Sequence, residues 1–311
     1  MAIKTSQVPN KNEGTNNSIT VENLTIFYDY KDFNEMLILE DFNYNFEKGK
    51  IYFIIGNSGS GKTTLVSHFN GLLKSPFGDI YVNELKILGL KKKIRRFKEL
   101  RRNVGMVLQF PEYQLFKDTI EKDIMFGPVN LGVKKEEAKA RAKKYLNELD
   151  LSDEYLQRSP FGLSGGQKRR VAIAGILAIE PKIFIFDEPT AGLDPNGERE
   201  MLNIIKNLKA QGKTVIVITH VMDQVLELAD EVLLLNDKKL YASGKPYSIF
   251  TNKQILTETE MTTPRVITVI NELVKLDKHY EYLYEKQPKT VQDLASAICD
   301  HEKLTKKKGT K

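Results

Sequence analysis

The residues from Gly56 to Thr63, GNSGSGKT, place glycine at 56 and 61 and follow it with Lys62 and Thr63, the spacing G-x-x-x-x-G-K-S/T. Glycine lets a backbone wrap closely enough for successive N–H groups to point inward at phosphate oxygens. A helix starting at the same place adds partial positive charge. At this spacing Lys62 reaches the β- and γ-phosphates of a nucleoside triphosphate, and the Thr63 hydroxyl coordinates Mg²⁺. Asn57, Ser58, Gly59 and Ser60 complete the cradle, and Thr64 follows it. The motif counts only between a strand and a helix. IYFII (Ile51 to Ile55) reads as the buried strand, and Leu65, Phe69, Leu72 and Leu73 recur at helical spacing.

Two further strings can do chemistry. In KIFIFDE, Lys182 to Glu188, four apolar residues carry Asp187 to the carboxyl end of a strand. An open parallel sheet places its ligands at such ends. Asp187 there can hold Mg²⁺ beside Thr63, while Glu188 acts on an attacking water. In LSGGQ, Leu163 to Gln167, Ser164 and two glycines, Gly165 and Gly166, open a helix and form a second anion cradle. One active site does not need two such cradles. The simplest resolution is that LSGGQ serves the nucleotide of a second chain, so each chain carries half of a composite site.

The elements that must position these residues follow from the pattern along the chain. From KIFIF onward, apolar strands (TVIVIT, EVLLL) alternate with helices over Glu198 to Lys209 and Met222 to Ala229. This alternation predicts an α/β protein with a parallel sheet covered by helices. Strands are expected over ITVENLTIFY from Ile19, over Leu37 to Phe46, and over VGMVLQF from Val104 to Phe110. A small hairpin is expected at Ile80 to Val82 and Leu85 to Leu88. Helices are expected over Lys92 to Leu100, over Lys134 to Leu149, and from Gly165 to before Pro181. Pro111, Pro128 and Gly132 punctuate the stretch between. Residues 1–18, polar and nearly free of large apolar side chains, are expected to be disordered. Beyond Phe250 the chain reads as a helical, polar accessory region (251–303) ending in a basic tail (304–311).

The chain has 311 residues, 41% hydrophobic and 28% charged, an ordinary globular balance. Its longest apolar run, Val171 to Ile179, is far short of the ~18 residues of a membrane span. A signal-peptide core is not recognisable at the N-terminus. The single cysteine, Cys299, lies in an apolar-periodic stretch and is expected to be a buried thiol. The net charge of +6 comes largely from Lys91 to Arg102 and Lys306 to Lys311. These read as a solvated helix face and a disordered tail; neither is interleaved with exposed aromatics for base stacking, and no nucleic acid is expected.

LSGGQ followed by IFIFDEP resembles the ATP-binding cassette (ABC) ATPases over roughly Ile19 to Phe250. The resemblance implies a P-loop NTPase core with a parallel sheet, a small antiparallel β-subdomain and an inserted helical subdomain (about 111–165), ahead of the helical C-terminal extension. It implies that Gln109 senses Mg²⁺ and the attacking water, that Asp194 communicates across a dimer, that His220 acts at the γ-phosphate, and that Tyr28 stacks on adenine. FPEYQLFKDTIEKDIMFGPVNLG, Phe110 to Gly132, is similar to the energy-coupling factor (ECF) transporter ATPases. AGLDP resembles the second of that family's two paralogous subunits, whereas Gly162 and Lys168 depart from that paralogue's usual Glu and Met. The resemblance implies ATP and Mg²⁺ as ligands, and a peripheral protein on the cytoplasmic side of the cell membrane. It also implies three partners: a paralogous ATPase (or an identical copy), a transmembrane component whose coupling helices dock after Gln109 with Glu112 facing a basic residue, and a membrane substrate-binding subunit. The cargo would be a vitamin or related micronutrient. A cobalt or nickel importer ATPase, or a non-transport cassette working on nucleic acid or the ribosome, are the other classes considered.

Overall fold

The computed structural model describes residues 16–28, 36–74, 77–87 and 96–308, with side chains to 301. The chain opens with β1 (Asn17–Tyr28), β2 (Met36–Glu47), β3 (Ile51–Ile55), α1 (Lys62–Phe69), β4 (Phe77–Val82) and β5 (Leu85–Ile87). Next come α2 (Phe97–Asn103), β6 (Val104–Val107), α3 (Ile120–Asn130), α4 (Lys135–Glu148) and α5 (Gly165–Leu177). Strand and helix then alternate through β7 (Ile183–Asp187), α6 (Pro195–Ala210), β8 (Thr214–Ile218), α7 (Met222–Leu228) and β9 (Glu231–Asn236), which turns back into β10 (Lys239–Gly244). The chain finishes with α8 (Pro246–Phe250), α9 (Lys253–Thr259), α10 (Arg265–Leu276), α11 (Tyr282–Lys286) and α12 (Val291–Lys308).

The continuous apolar strands form one sheet in the order β10-β9-β3-β8-β7-β6, parallel except for β10. Because strand side chains alternate in direction, each strand divides its residues between two cores. Ile51, Phe53 and Ile55 join Phe184, Phe186, Val215 and Val217 on one face, against α5, α6 and α7. Tyr52 and Ile54 join Ile183, Ile185, Ile216 and Ile218 on the other, against α1 and the second sheet. Burying strands on both faces is what requires the unbroken apolar runs. The second sheet is antiparallel, in the order β2-β1-β4-β5.

Gly105 shows how tight the first face is. A Cβ added there would stand 2.7 Å from Pro181 Cγ and 2.9 Å from Ile176 Cγ2. Gly105→Ala is therefore expected to destabilise the protein by about 1–3 kcal/mol, the usual cost of overpacking. Denaturant unfolding would measure it, and an unchanged midpoint would refute the assignment.

Several expectations need correcting. Pro128, expected to punctuate the chain, instead lies inside the helix α3. Thr119 caps the helix, its hydroxyl accepting from Lys122 N–H, and Pro128 sits in the last turn, at the cost of the helical hydrogen bond its missing N–H would have made. The β6 strand stops at Val107 rather than Phe110, because Phe110 takes a left-handed φ of 55° to start a 3₁₀ turn at Pro111. The pairing of β10 with β9 was not expected. Cys299 is exposed: α12 turns Leu294, Ala297 and Ile298 to the core, and a residue five positions after Leu294 falls off that face. The α12 helix runs on through Lys308, into the expected tail. The accessory region forms no core of its own among the described residues. Ile255, Val266, Ile267, Ile270, Leu283 and Leu294 belong to the same cluster as Ile51 and Phe53. Disorder was expected over residues 1–18, but Asn17 and Ser18 already belong to β1 and Ser18 is buried, because the strand starts where Asn17 pairs with Glu47 in the second sheet. Residues 1–15, Tyr30 and the first half of the basic run lie outside the described residues.

Candidate functional site

The carboxyl ends of β3, β8, β7 and β6, neighbours in that order, lead into the phosphate loop, His220, Asp187–Glu188 and Gln109 respectively. Four segments distant in sequence thus meet along one edge, where an open parallel sheet binds its ligands.

At the phosphate loop, Gly56 takes φ +143°, and a Cβ there would stand 2.2 Å from the Leu235 carbonyl oxygen, so only glycine fits. Gly61 precedes α1 in a left-handed conformation and no side chain caps the helix, which leaves its first N–H groups to the loop. Lys62 Nζ folds back into the cradle, donating to the carbonyls of Gly56 and Asn57 at 2.8 Å each and to Ser60 Oγ at 3.4 Å. Burial lowers the Lys62 pKa, and the carboxylates of Glu188 and Asp187 partly restore it. An ammonium that satisfies itself on loop carbonyls is well placed to exchange them for phosphate oxygens.

Thr63 donates its hydroxyl proton to Asp187 Oδ2 at 2.8 Å. Asp187 is buried. Burial raises its pKa and Glu188 adds to the rise, against the Thr63 hydrogen bond and Lys62. An oxygen-only donor pair at a buried strand end, with a carboxylate short of positive charge, fits a hard divalent cation. Glu188 follows with a left-handed φ of 49°, a conformation costing a non-glycine residue about 1–3 kcal/mol. Its N–H donates to the Ile218 carbonyl at 2.9 Å, and its Oε2 lies 3.0 Å from His220 Nδ1. His220 is otherwise open to solvent. Tyr28, at the end of β1, has its hydroxyl 3.0 Å from Thr64 Oγ1, beside the loop. The neighbouring Phe27 packs edge-on against Phe77.

The remaining residues lie apart. Gln109 stands two positions beyond Val107, which pairs with Phe186; it is exposed, and among the described residues its side chain makes no hydrogen bond. Ser164 caps α5 in a reciprocal box with Gln167, and Gln167 Nε2 reaches the Tyr155 hydroxyl at 3.4 Å. The Gln167 side chain is thus spent on its own helix, while Ser164, Gly165 and Gly166 are exposed. Asp194 caps α6, accepting from Gly197 N–H at 2.8 Å.

Sequence reasoning missed Arg169. It is buried, donates to the Ala191 carbonyl at 3.0 Å, and pairs with Glu112 at 3.4 Å. One side chain therefore joins the helix after LSGGQ, the turn after Gln109, and the segment between Glu188 and Asp194. Glu112 was expected to face a partner's basic residue, but its partner is within the chain. Nothing local marks such a pairing in the sequence. The flanking aromatics are open: Phe110, Tyr113 (84% exposed) and Phe116 line the surface, with Phe126 4.8 Å from Phe116.

The family model described as "ABC transporter" matches residues 39–191. The "energy-coupling factor transporter ATP-binding protein EcfA2" of Mycoplasma pneumoniae is 53% identical over 280 residues, covering 90% of this chain and 92% of the relative. This chain belongs to the ABC transporter ATPases of the energy-coupling factor type. Within that family it is similar to the second paralogue, despite Gly162 and Lys168. Among solved structures, one of the ABC transporter complex cbiONQ, cbiO1 from Clostridium perfringens, matches with a TM-score of 0.66 at 33% identity, over 82% of this chain and 99% of that one. An ATP-binding cassette solved as a dimer in a post-hydrolysis state with ADP and phosphate matches with a TM-score of 0.65 at 28% identity, over 73% of this chain and 98% of that one. No described helix is long and apolar enough to cross a membrane.

Proposed function

We propose that this chain hydrolyses ATP in a composite site shared with a second ATPase chain, and that the cycle drives uptake of a vitamin-class micronutrient through a membrane partner. The observation that carries this reading is the division of the machinery. Lys62, Thr63, Asp187, Glu188 and His220 converge on one edge of the sheet. The capped, exposed N-terminus of α5 at Ser164–Gly166 presents a second anion cradle to solvent.

In this reading the loop N–H groups and Lys62 hold the β- and γ-phosphates, and Tyr28 covers the adenine. Thr63 and Asp187 would hold Mg²⁺, with Gln109 approaching from β6; the cation would neutralise charge on the phosphates. Glu188 accepts a proton from the attacking water, and His220, held by Glu188, contacts the γ-phosphate. Ser164, Gly165 and Gly166 of the opposing chain close over the nucleotide, and Asp194 lies at the contact between chains. Core and helical subdomain (about 111–165) form the cassette, residues 19–250, with 251–303 appended. The chain sits peripherally on the cytoplasmic face of the membrane. The exposed aromatics Phe110, Tyr113 and Phe116 receive the transmembrane component's coupling helices, and a separate membrane subunit selects the cargo.

The purified chain alone is expected to be a poor ATPase, with turnover restored by its paralogous partner. Sedimentation alongside a steady-state ATPase assay tests this, and full activity in a demonstrated monomer would sink the composite site. Co-purification from detergent-solubilised membranes tests transport. Companion membrane subunits are the expected result, and ribosomes or DNA in their place would overturn it.

A further inference from the structure

The accessory region reaches the catalytic edge directly. A cleft of about 360 Å³ is lined on one side by the phosphate loop, Glu188 and His220, and on the other by Thr259–Thr262, the last residue of α9 and the turn that follows it. Glu260, in a left-handed conformation (φ 51°), reverses the chain there. Asn57 Nδ2 of the phosphate loop lies 3.5 Å from the Thr259 carbonyl.

A stronger tie follows immediately. The residue before α10 is Pro264, which offers no side-chain cap. The cap comes from another helix: Asp223 Oδ1 accepts from Arg265 N–H at 2.8 Å, and Asp223 Oδ2 accepts from Arg265 Nε at 2.5 Å. Asp223 is the second residue of α7, which begins two positions after His220, and Met222 lines the same cleft. Between them the chain is short and constrained, with Thr219 Oγ1 accepting from Val221 N–H at 3.1 Å.

The magnitudes indicate what this tie is for. The Arg265 side chain is mostly exposed, and an exposed ion pair adds little net stability to a chain this large. As a register device it does more. Two hydrogen bonds to one carboxylate set where the first turn of α7 lies against the C-terminal region. Small misplacements of a reacting group carry large kinetic penalties.

We propose that Asp223 is a positioning residue for hydrolysis: by capping α10 it anchors the start of α7 and holds His220 at the γ-phosphate, so that the C-terminal region tunes turnover without touching the nucleotide. This rests on the reading of His220 given above. The test uses the full-length chain in its ATPase assembly, with Asp223→Ala, Asp223→Asn, His220→Ala and the double variant Asp223→Ala/His220→Ala. Asp223→Ala is expected to lower kcat about fivefold to tenfold, the effect of a slight misplacement of His220, with the KM for ATP and the thermal midpoint nearly unchanged. Asp223→Asn, which still accepts from the Arg265 N–H, should recover most of the loss. In the His220→Ala background, removing Asp223 should cost nothing further. An unchanged kcat in Asp223→Ala, or losses that multiply in the double variant, would overturn the positioning role and leave the reading of His220 intact. Near-normal hydrolysis by His220→Ala would overturn both.

Discussion

Glu188→Gln is expected to bind ATP normally and to hydrolyse it roughly 10²–10⁴-fold more slowly, the range for loss of a positioned general base. The substitution keeps the shape of the side chain and an oxygen that can still face His220, 3.0 Å away in the parent. It removes the one property that matters for accepting a proton. Nucleotide affinity should survive because the groups proposed to hold phosphate and cation, Lys62, Thr63 and Asp187, are untouched. The strained backbone at Glu188 should survive as well, since the Ile218 carbonyl fixes it through the main chain. The variant should accumulate a closed, ATP-loaded dimer. Single-turnover hydrolysis beside a nucleotide-binding titration separates the two effects, and near-normal turnover would remove Glu188 from its role.

Lys62→Ala should fail earlier, at binding. The ammonium is half-buried, bonded to the loop's own carbonyls, and surrounded by Glu188 and Asp187. Removing it leaves two carboxylates facing the place where the phosphates must sit. Loss of a charge-assisted hydrogen bond costs about 1.5–3 kcal/mol, so ATP affinity should fall about ten- to a hundredfold. Hydrolysis should fall further, since charge neutralisation is most of phosphoryl-transfer catalysis. Fluorescent-nucleotide titration measures the first effect, and wild-type affinity would count against the cradle. The pair of variants thus divides the site into a part that holds and a part that reacts.

Much of this site was legible because its chemistry is written in short strings. A phosphate cradle needs glycine where a Cβ would strike backbone, as at Gly56 against Leu235, and a lysine within reach of the same loop. Both requirements fall within eight consecutive residues. The run IFIFD announces a strand buried on both faces that delivers a carboxylate to its end, and LSGGQ announces a capped helix. Parallel-sheet strands read well for the same reason: burial on two faces leaves an unbroken apolar run. Legibility fell where structure depends on partners remote in sequence. Pro128 looked like a stop, yet it is accommodated near the end of α3. Cys299 looked buried, because apolar periodicity does not say which side of a helix meets the core. Glu112 looked available to a partner, because nothing near it reveals Arg169.

By itself the sequence determined the α/β class, the glycine-rich loop with Lys62 and Thr63, the paired carboxylates and the glycine-opened helix at Ser164–Gly166, since each is a local requirement of chemistry or of burial, while the transporter family came from the likeness of whole motifs. Only the tertiary structure decided the order of strands that brings Lys62, His220 and Glu188 to one edge. The same holds for the Arg169 link, and for the reach of Thr259–Arg265 back to the catalytic cleft. These depend on which segments become neighbours when two cores close on either side of one sheet. That choice is made by the packing of the whole chain, and no short stretch of sequence carries it.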